Sequence, residues 1–285
     1  MSKCTIAVQA FNKADSILAT LDSLAACRNA SEYALLILQD GRTGSKQALH
    51  NMAAHTETRE SIDGWLANNS GVFASARFIA EERNYGTCAA AKLIIDKAME
   101  RTGAVIFSED DVVFEADALD WFRHCIHHPA FLRDDVWAIA GESKFFDAKS
   151  HNPTAAYVAE AVRTAKQMGL IGSFFYTEFL PSSCFATIAC KWNEFGATRG
   201  NPNGDRDVNL RCRAEGKLCL WPIVARCRDV GMLHPFGYSV QLRGMNHGAA
   251  KNTYVTSDMI GGFSSVSELI EGKGSLYEEF TGRWK

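Results

Sequence analysis

Three consecutive acids follow an apolar stretch near the middle of the chain. Residues 104–107 read Ala-Val-Ile-Phe, and Glu109-Asp110-Asp111 come after Ser108. Such an apolar run is typical of a buried strand, and open α/β sheets bind ligands beyond the carboxyl ends of their strands. Adjacent carboxylates repel one another unless a cation is shared between them. The segment therefore predicts a cation-dependent binding site, with a solvated turn that caps the next helix as the alternative.

Alternating strand and helix signals surround this acidic segment. Apolar runs predict strands at residues 5–11, 33–39, 73–80 and 104–107. Residues spaced for one helical face predict helices at residues 15–27, 45–68 (with a break near Gly64) and 86–101. This alternation predicts an α/β domain with a mostly parallel, Rossmann-like sheet and flanking helices.

The alternation of strands and helices ends after Ala140 and gives way to mixed and aromatic-rich sequence, which predicts a smaller mixed lobe. We therefore expect one domain at residues 1–250, with two halves at 1–115 and 116–250. Residues 251–285 alternate Gly and Ser with apolar residues, which predicts a wrapping segment or lid.

Composition limits the class of protein. The 285 residues are 47% hydrophobic and 22% charged, which is enough to bury a sizeable core. A net charge of -3 without a basic run argues against a nucleic-acid partner. Nine cysteines without a CxxC pair predict free thiols in a reducing cytoplasm. The first residues lead directly into a strand, so we expect no leader, no transmembrane segment and a cytoplasmic location, compatible with peripheral membrane contact.

The order of these signals resembles the GT-A nucleotide-sugar glycosyltransferases over about residues 5–248. The resemblance is carried by the opening strand and helix, by Gln39-Asp40-Gly41 after the second strand, by Arg83-Asn84-Tyr85-Gly86 before a helix, and by Glu109-Asp110-Asp111 as a DxD-type motif. The Glu-Asp-Asp form and residues 112–122 are most similar to the N-acetylglucosaminyltransferase I family. The expected lack of an anchor, and the lack of tryptophans beside the late acids, favour a cytoplasmic relative close to the broad inverting family 2.

This resemblance implies transfer of a sugar, with inversion, from a UDP-sugar to a hydroxyl of a glycan or glycolipid. It also implies that residues 1–250 form a GT-A catalytic domain, with the nucleotide-binding half at 1–115 and the acceptor-side half at 116–250. A bound Mn²⁺ or Mg²⁺ would neutralise the leaving diphosphate. Asp111 is the implied metal ligand, Asp110 the ribose ligand, and Glu109 a ligand of the ribose or the sugar. Asp40 would pair with the uracil N–H, although the pair Asp40-Gly41 by itself fits an ordinary turn equally well. Further candidates for the nucleotide pocket are Lys13, Arg83 and Asn84.

The resemblance also assigns a general base. Asp207 matches the family's base when Asp207-Val208-Asn209 is aligned with its motif, and Asp205 is the second choice. An ionised carboxylate can accept the hydroxyl proton without a pKa shift. An N-cap of a following helix, predicted to begin near Val208, is the alternative. His234 and His247 each follow a Gly-rich turn and are candidates for contact with the cation or the diphosphate, with a surface or packing role as the alternative.

Other classes of protein fit less well. A nucleotidylyltransferase of sugar phosphates would open with a Gly-rich phosphate loop, which the segment after the first strand lacks. A dehydrogenase would carry GxGxxG in the same place. A non-catalytic module that binds a carbohydrate or a nucleotide stays open as an alternative, and neither the sugar nor the acceptor follows from the fold.

Overall fold

The computed structural model describes residues 4–44, 52–143, 162–231, 234–236, 257 and 270–271. Within these residues, nine strands form one sheet in the order β11-β7-β9-β6-β8-β4-β1-β2-β3, and β5 and β10 form a two-stranded ribbon. The strands are β1 (Thr5–Ala10), β2 (Ala34–Gln39), β3 (Ser75–Ala80), β4 (Ala104–Glu109), β5 (Val112–Phe114), β6 (Val136–Ala140), β7 (Ser173–Thr177), β8 (Cys184–Ile188), β9 (Leu218–Pro222), β10 (Cys227–Asp229) and β11 (Ile270–Glu271).

The first half of the sheet is parallel. Strand β1 pairs in parallel with β2 and with β4, and β2 pairs in parallel with β3. Every residue of β1 and β2 is buried, as expected for parallel strands covered on both faces. The predicted α/β architecture is confirmed.

The second half of the sheet is mixed. Strand β8 lies antiparallel between β4 and β6, β6 pairs in parallel with β9, and β7 runs antiparallel to β9. Because β8 is antiparallel to both β4 and β6, and β9 is parallel to β6, strands β6 and β9 run in the same direction as β4. The carboxyl ends of β1, β2, β4, β6 and β9 therefore lie at one edge of the sheet, and β8 begins there. This edge is called the crevice edge below.

Helices cover both faces of the sheet because alternate side chains of each strand point to opposite sides. On one face, Ile6 and Val8 pack with Ile17 of the first helix. On the other face, Ala7 packs with Ile94 of the third helix. The helices are α1 (Ala14–Ala26), α2 (Met52–Asn69), α3 (Thr87–Thr102), α4 (Ala118–His127), α5 (Pro129–Leu132), α6 (Ala189–Arg199) and α7 (Gly204–Ala214).

Two predicted helix features are wrong. Helix α2 continues through Gly64 without a break, since Ile62 and Trp65 on either side of the glycine are anchored in the core. Helix α7 begins at Gly204, before the predicted start near Val208. Its first turn is fixed by close packing, because a Cβ on Gly204 would lie 1.9 Å from the carbonyl oxygen of Arg199.

Most of the segment 251–285 lies outside the described residues. Ser257 is an exception: its hydroxyl donates to Asp117 at 2.5 Å, and its backbone N–H donates to the carbonyl of Ala225 at 3.1 Å. Strand β11 adds in parallel to the edge of β7. Among the described helices, none combines the length and the apolar character needed to cross a membrane.

Candidate active site

The acidic motif lies at the crevice edge, next to the first residues after β1. Lys13 Nζ lies 2.6 Å from Asp110 Oδ1 and also contacts Asp111 Oδ2. The backbone N–H of Phe11 donates to Asp110 Oδ2 at 3.1 Å. The lysine side chain is only 13% exposed, and the two carboxylates are 6% and 9% exposed. Two buried acids are thus held together by one buried ammonium.

The lysine carries its charge in this setting. Burial lowers the pKa of Lys13, but the adjacent charges of Asp110 and Asp111 outweigh burial and raise it above the usual lysine value. The cluster of Lys13, Asp110 and Asp111 therefore has one negative charge when both acids are ionised. It attracts a second cation more weakly than two unpaired carboxylates would.

One carboxylate oxygen of this cluster has no hydrogen-bond partner among the described residues. Asp111 Oδ1 is buried and makes no hydrogen bond to any of the described residues. A buried carboxylate oxygen without a partner is costly and calls for a ligand. Carboxylate oxygen is also what hard divalent cations prefer, so the donor fits Mn²⁺ or Mg²⁺. Within the described part of the chain, no group of three or more His, Cys, Asp or Glu side chains could hold a metal, so water or phosphate oxygens would complete the shell.

Gly231 packs directly against the side chain of Asp111. The backbone N–H of Val230 donates to the Asp111 carbonyl at 2.8 Å, which brings the segment after β10 against the acid. A Cβ on Gly231 would lie 1.7 Å from Asp111 Oδ2 and 2.2 Å from its Cγ. Only glycine therefore allows this approach, and it fixes the direction of the carboxylate.

Gly231→Ala is expected to destabilise the protein by about 1 to 3 kcal/mol, the usual cost of overpacking a buried position. The new methyl group must push the Asp111 carboxylate away from Lys13. Gly64→Ala on α2 is the matched control, because a Cβ there meets open space. We expect this control to raise helix stability by about 0.5 to 1 kcal/mol. Thermal unfolding of both variants checks this, and an unchanged melting temperature for Gly231→Ala would contradict the packing argument.

Asp40 organises the neighbouring loop. Its Oδ1 accepts from the backbone N–H groups of Gly41 and Tyr85, at 3.0 and 2.8 Å. Its Oδ2 accepts from the side chain of Asn84 and the N–H of Gly86, each at 2.9 Å. Four donors occupy a carboxylate that offers about four acceptor positions. Asp40 therefore holds the turn at residues 84–86 against the end of β2.

The other members of this group lie on the same loop. Arg83 is exposed and its guanidinium lies 5.6 Å from the centroid of the Tyr85 ring. Gly41 permits the close approach of the two loops, because a Cβ there would lie 2.3 Å from the backbone of Glu82. The structure thus brings Asp40, Arg83 and Asn84 together at the end of β2, beside the loop that carries Lys13.

Glu109 connects the acidic motif to the late acids. Its pKa lies well above the usual glutamate value, first because of burial and then because of the charges of Asp111 and Asp205. Asp205 in the first turn of α7 therefore lies close enough to act on Glu109. The acids that are separate in sequence belong to one electrostatic environment.

Arg199 balances these acids and was not identified from the sequence. Its side chain is fully buried at the end of α6, and Nη1 lies 3.0 Å from Asp205 Oδ1. Its guanidinium carbon lies 5.9 Å from the centroid of the Phe107 ring in β4. Among the described residues, none of the guanidinium nitrogens makes a hydrogen bond of good geometry. The charge of Asp205 therefore holds this cation in the core.

Asp207 differs from Asp205. It is half-buried in the first turn of α7, and its backbone N–H donates to the carbonyl of Asn203 at 2.9 Å. Its carboxylate makes no hydrogen bond or ion pair with any residue that the structure describes. It does not act as the N-cap, which is Asn203.

Of the two predicted histidines, the structure describes His234. Both ring nitrogens of His234 are engaged: Nε2 lies 2.9 Å from Asp15 Oδ1, and Nδ1 accepts from the N–H of Phe236 at 3.1 Å. Because Nδ1 accepts, Nε2 carries the proton and donates to Asp15. His247 lies outside the described residues.

A second buried pair lies at the crevice edge, and its acid, Glu142, was not identified from the sequence. The hydroxyl of Ser183, just before β8, donates to Glu142 Oε1 just after β6. The carbonyl of Ser183 accepts from the N–H of Glu109 at 2.8 Å, so the pair adjoins the acidic motif. The aromatic side chains nearby mainly serve the core, since Phe174, Phe185 and Trp192 are buried.

No protein-family model and no curated protein matches this sequence. Among solved structures, the chain is similar to the mannosyltransferase PcManGT from Pyrobaculum calidifontis, in complex with GDP-Man and Mn²⁺, at 13% identity and a TM-score of 0.47. The match covers 77% of this chain and 54% of that chain. It is also similar to TarS 1-349 from S. aureus, at 12% identity over 81% of this chain and 61% of that chain, with a TM-score of 0.48.

A TarS 1-349 structure in complex with UDP gives similar values, with 12% identity, a TM-score of 0.46, and coverage of 79% of this chain and 59% of that chain. The chain thus spans between half and two thirds of the length of each of these three solved chains. These likenesses concern the fold, and they assign no donor, acceptor or metal to this chain.

Proposed function

We propose that the chain is a metal-dependent, inverting GT-A glycosyltransferase that transfers a sugar from a UDP-sugar to a hydroxyl of a glycan or glycolipid. The observation that carries the proposal is the buried cluster of Lys13, Asp110 and Asp111 at the crevice edge, with Asp111 Oδ1 left without a partner. The cluster lies where open α/β sheets bind nucleotides. Its two acids, Asp110 and Asp111, also belong to the motif that resembles the family's DxD motif.

The donor would lie along the ends of β2, β1 and β4. The turn at residues 84–86, held by Asp40, would form the base side of the pocket, and Asp110 would accept hydrogen bonds from the ribose. A direct bond from uracil to Asp40 requires one of its four donors to give way. We therefore assign Asp40 the additional task of fixing this turn.

Asp111 would hold the cation, Mn²⁺ or Mg²⁺. When bound, this cation supplies the Lewis acid that stabilises the charge of the leaving diphosphate. Glu109, beside it, would face the ribose or the transferred sugar. The finer likeness to the N-acetylglucosaminyltransferase I family and the cytoplasmic location stay predictions.

Asp207 would accept the proton of the attacking hydroxyl. Among the described residues it has no competing partner, whereas Asp205 is committed to Arg199. A base must be ionised and free to accept, which favours Asp207 over Asp205. Arg199 and Asp205 would fix the first turn of α7 and hence the position of Asp207.

A panel of nucleotide sugars tests the proposal through protection against thermal unfolding. A ligand that binds the native state raises the melting temperature according to its affinity. We expect UDP-sugars to protect in the presence of Mn²⁺, and little protection after chelation. A nucleotidylyltransferase would instead be protected by a nucleoside triphosphate with a sugar phosphate. A non-catalytic module would bind the UDP-sugar without releasing UDP.

A further inference from the structure

Lys13 occupies an unusual place for a residue of a nucleotide pocket. Its ammonium does not point to open solvent; it bridges Asp110 and Asp111 from within 2.6 Å of Asp110 Oδ1. Three of the four oxygens of these two carboxylates are engaged, two by Lys13 and one by the N–H of Phe11. The proposed metal ligand is therefore already paired with an internal cation, which it shares with Asp110.

This arrangement has an electrostatic consequence. A divalent cation on Asp111 would lie near the ammonium of Lys13, because both bind the same carboxylate. Two cations at such a distance repel strongly where solvent is largely excluded. The lysine ammonium sits on a flexible stem with rotatable donors, so it can move from a carboxylate to a phosphate.

We infer that Lys13 is a built-in counter-ion of the acidic motif, which the cation displaces from Asp111 when it enters with a nucleoside diphosphate, and which then pairs with the diphosphate. The inference rests on the proposed function. It gives Lys13 two opposite effects. Lys13 weakens the binding of the cation alone, and it strengthens the binding of the cation together with the diphosphate.

Direct metal binding separates these effects. Electron paramagnetic resonance of free Mn²⁺ gives the affinity of the chain for Mn²⁺ without nucleotide, and calorimetry gives the affinity for UDP at saturating Mn²⁺. For Lys13→Met we expect Mn²⁺ alone to bind about tenfold more tightly or better, since the positive charge that competes for the Asp111 carboxylate is removed. We expect UDP to bind about fivefold more weakly or worse, because one charge-assisted contact is lost.

Two further variants complete the experiment. Lys217→Met is the matched control: Lys217 Nζ pairs with Glu194 at 2.8 Å at the opposite edge of the sheet, and both affinities should stay unchanged. Lys13→Arg keeps the positive charge and should bind Mn²⁺ alone about as the wild type does. If Lys13→Met does not fold, Lys13→Gln replaces it, since its amide can still donate to Asp110.

The outcomes are distinguishable. Suppose that the wild-type protein binds both Mn²⁺ and UDP. Unchanged or weaker Mn²⁺ binding by the neutral variant then overturns the counter-ion role and leaves the proposed function intact. Tighter binding of both Mn²⁺ and UDP overturns the second half of the inference, the transfer of Lys13 to the diphosphate. A wild-type chain that binds neither ligand removes the proposed function and the role of Lys13 with it.

Discussion

Asp207→Asn is expected to lower the turnover of a UDP-sugar by about a hundredfold or more, the usual scale for loss of a general base. The amide is nearly the same size as the carboxylate but cannot accept the proton of the acceptor hydroxyl. Because Asp207 makes no hydrogen bond or ion pair with the described residues, the substitution should leave the fold intact. Affinity for the donor should also be preserved. Steady-state turnover and UDP calorimetry on the same preparation measure the two quantities.

Asp205→Asn is the comparison for this variant. It removes the charge opposite the buried Arg199, so we expect a loss of stability together with a smaller loss of turnover. If Asp205→Asn loses turnover at unchanged stability while Asp207→Asn stays active, the base is Asp205. Melting temperatures decide whether a loss of activity reflects chemistry or folding.

Asp111→Ala is expected to abolish the part of UDP affinity that depends on Mn²⁺. Replacing a residue that hydrogen-bonds to a metal ligand typically lowers metal affinity by about tenfold to a hundredfold. Replacing the ligand itself should lower metal affinity by more than this. The diphosphate charge would then be balanced by the ammonium of Lys13 alone, which also pairs with Asp110. Calorimetric titration of UDP, with Mn²⁺ and after chelation, measures the difference for each variant.

Asp135→Ala is a matched control for this substitution. Asp135 immediately precedes β6 at the opposite edge of the sheet, and its carboxylate pairs with Arg133 at 2.6 Å. UDP affinity should not change in this variant. Wild-type UDP affinity in Asp111→Ala, with Mn²⁺ present, would exclude Asp111 as the metal ligand.

The sequence predicts those parts of the site that depend on local pattern. The apolar run before Glu109 identifies β4, and parallel strands bring their carboxyl ends to one edge, so the nearness of Asp40, Lys13 and Asp110 follows from alternation alone. The break at Gly64 is a wrong prediction because local glycine propensity competes with the anchoring of Trp65, which donates to Asp22 at 2.7 Å.

The remaining features depend on contacts between distant segments. The role of Gly231 depends on how closely the chain after β10 approaches Asp111, 120 positions earlier. Arg199 looks like an ordinary basic residue at a helix end, and only tertiary packing buries it beside Asp205. Glu142 and Ser183 meet because β6 and β8 are neighbours in the sheet, a pairing that no local pattern specifies.

The stereochemistry of transfer tests the central claim most directly. A carboxylate base opposite the leaving diphosphate requires a single in-line displacement, which inverts the anomeric carbon. Proton NMR of the first product, formed with Mn²⁺ from the UDP-sugar that protects best, reads the anomeric coupling. An α-linked donor with a gluco or galacto ring is predicted to give a β-linked product. An α-linked product would contradict both the role of Asp207 and the inverting mechanism.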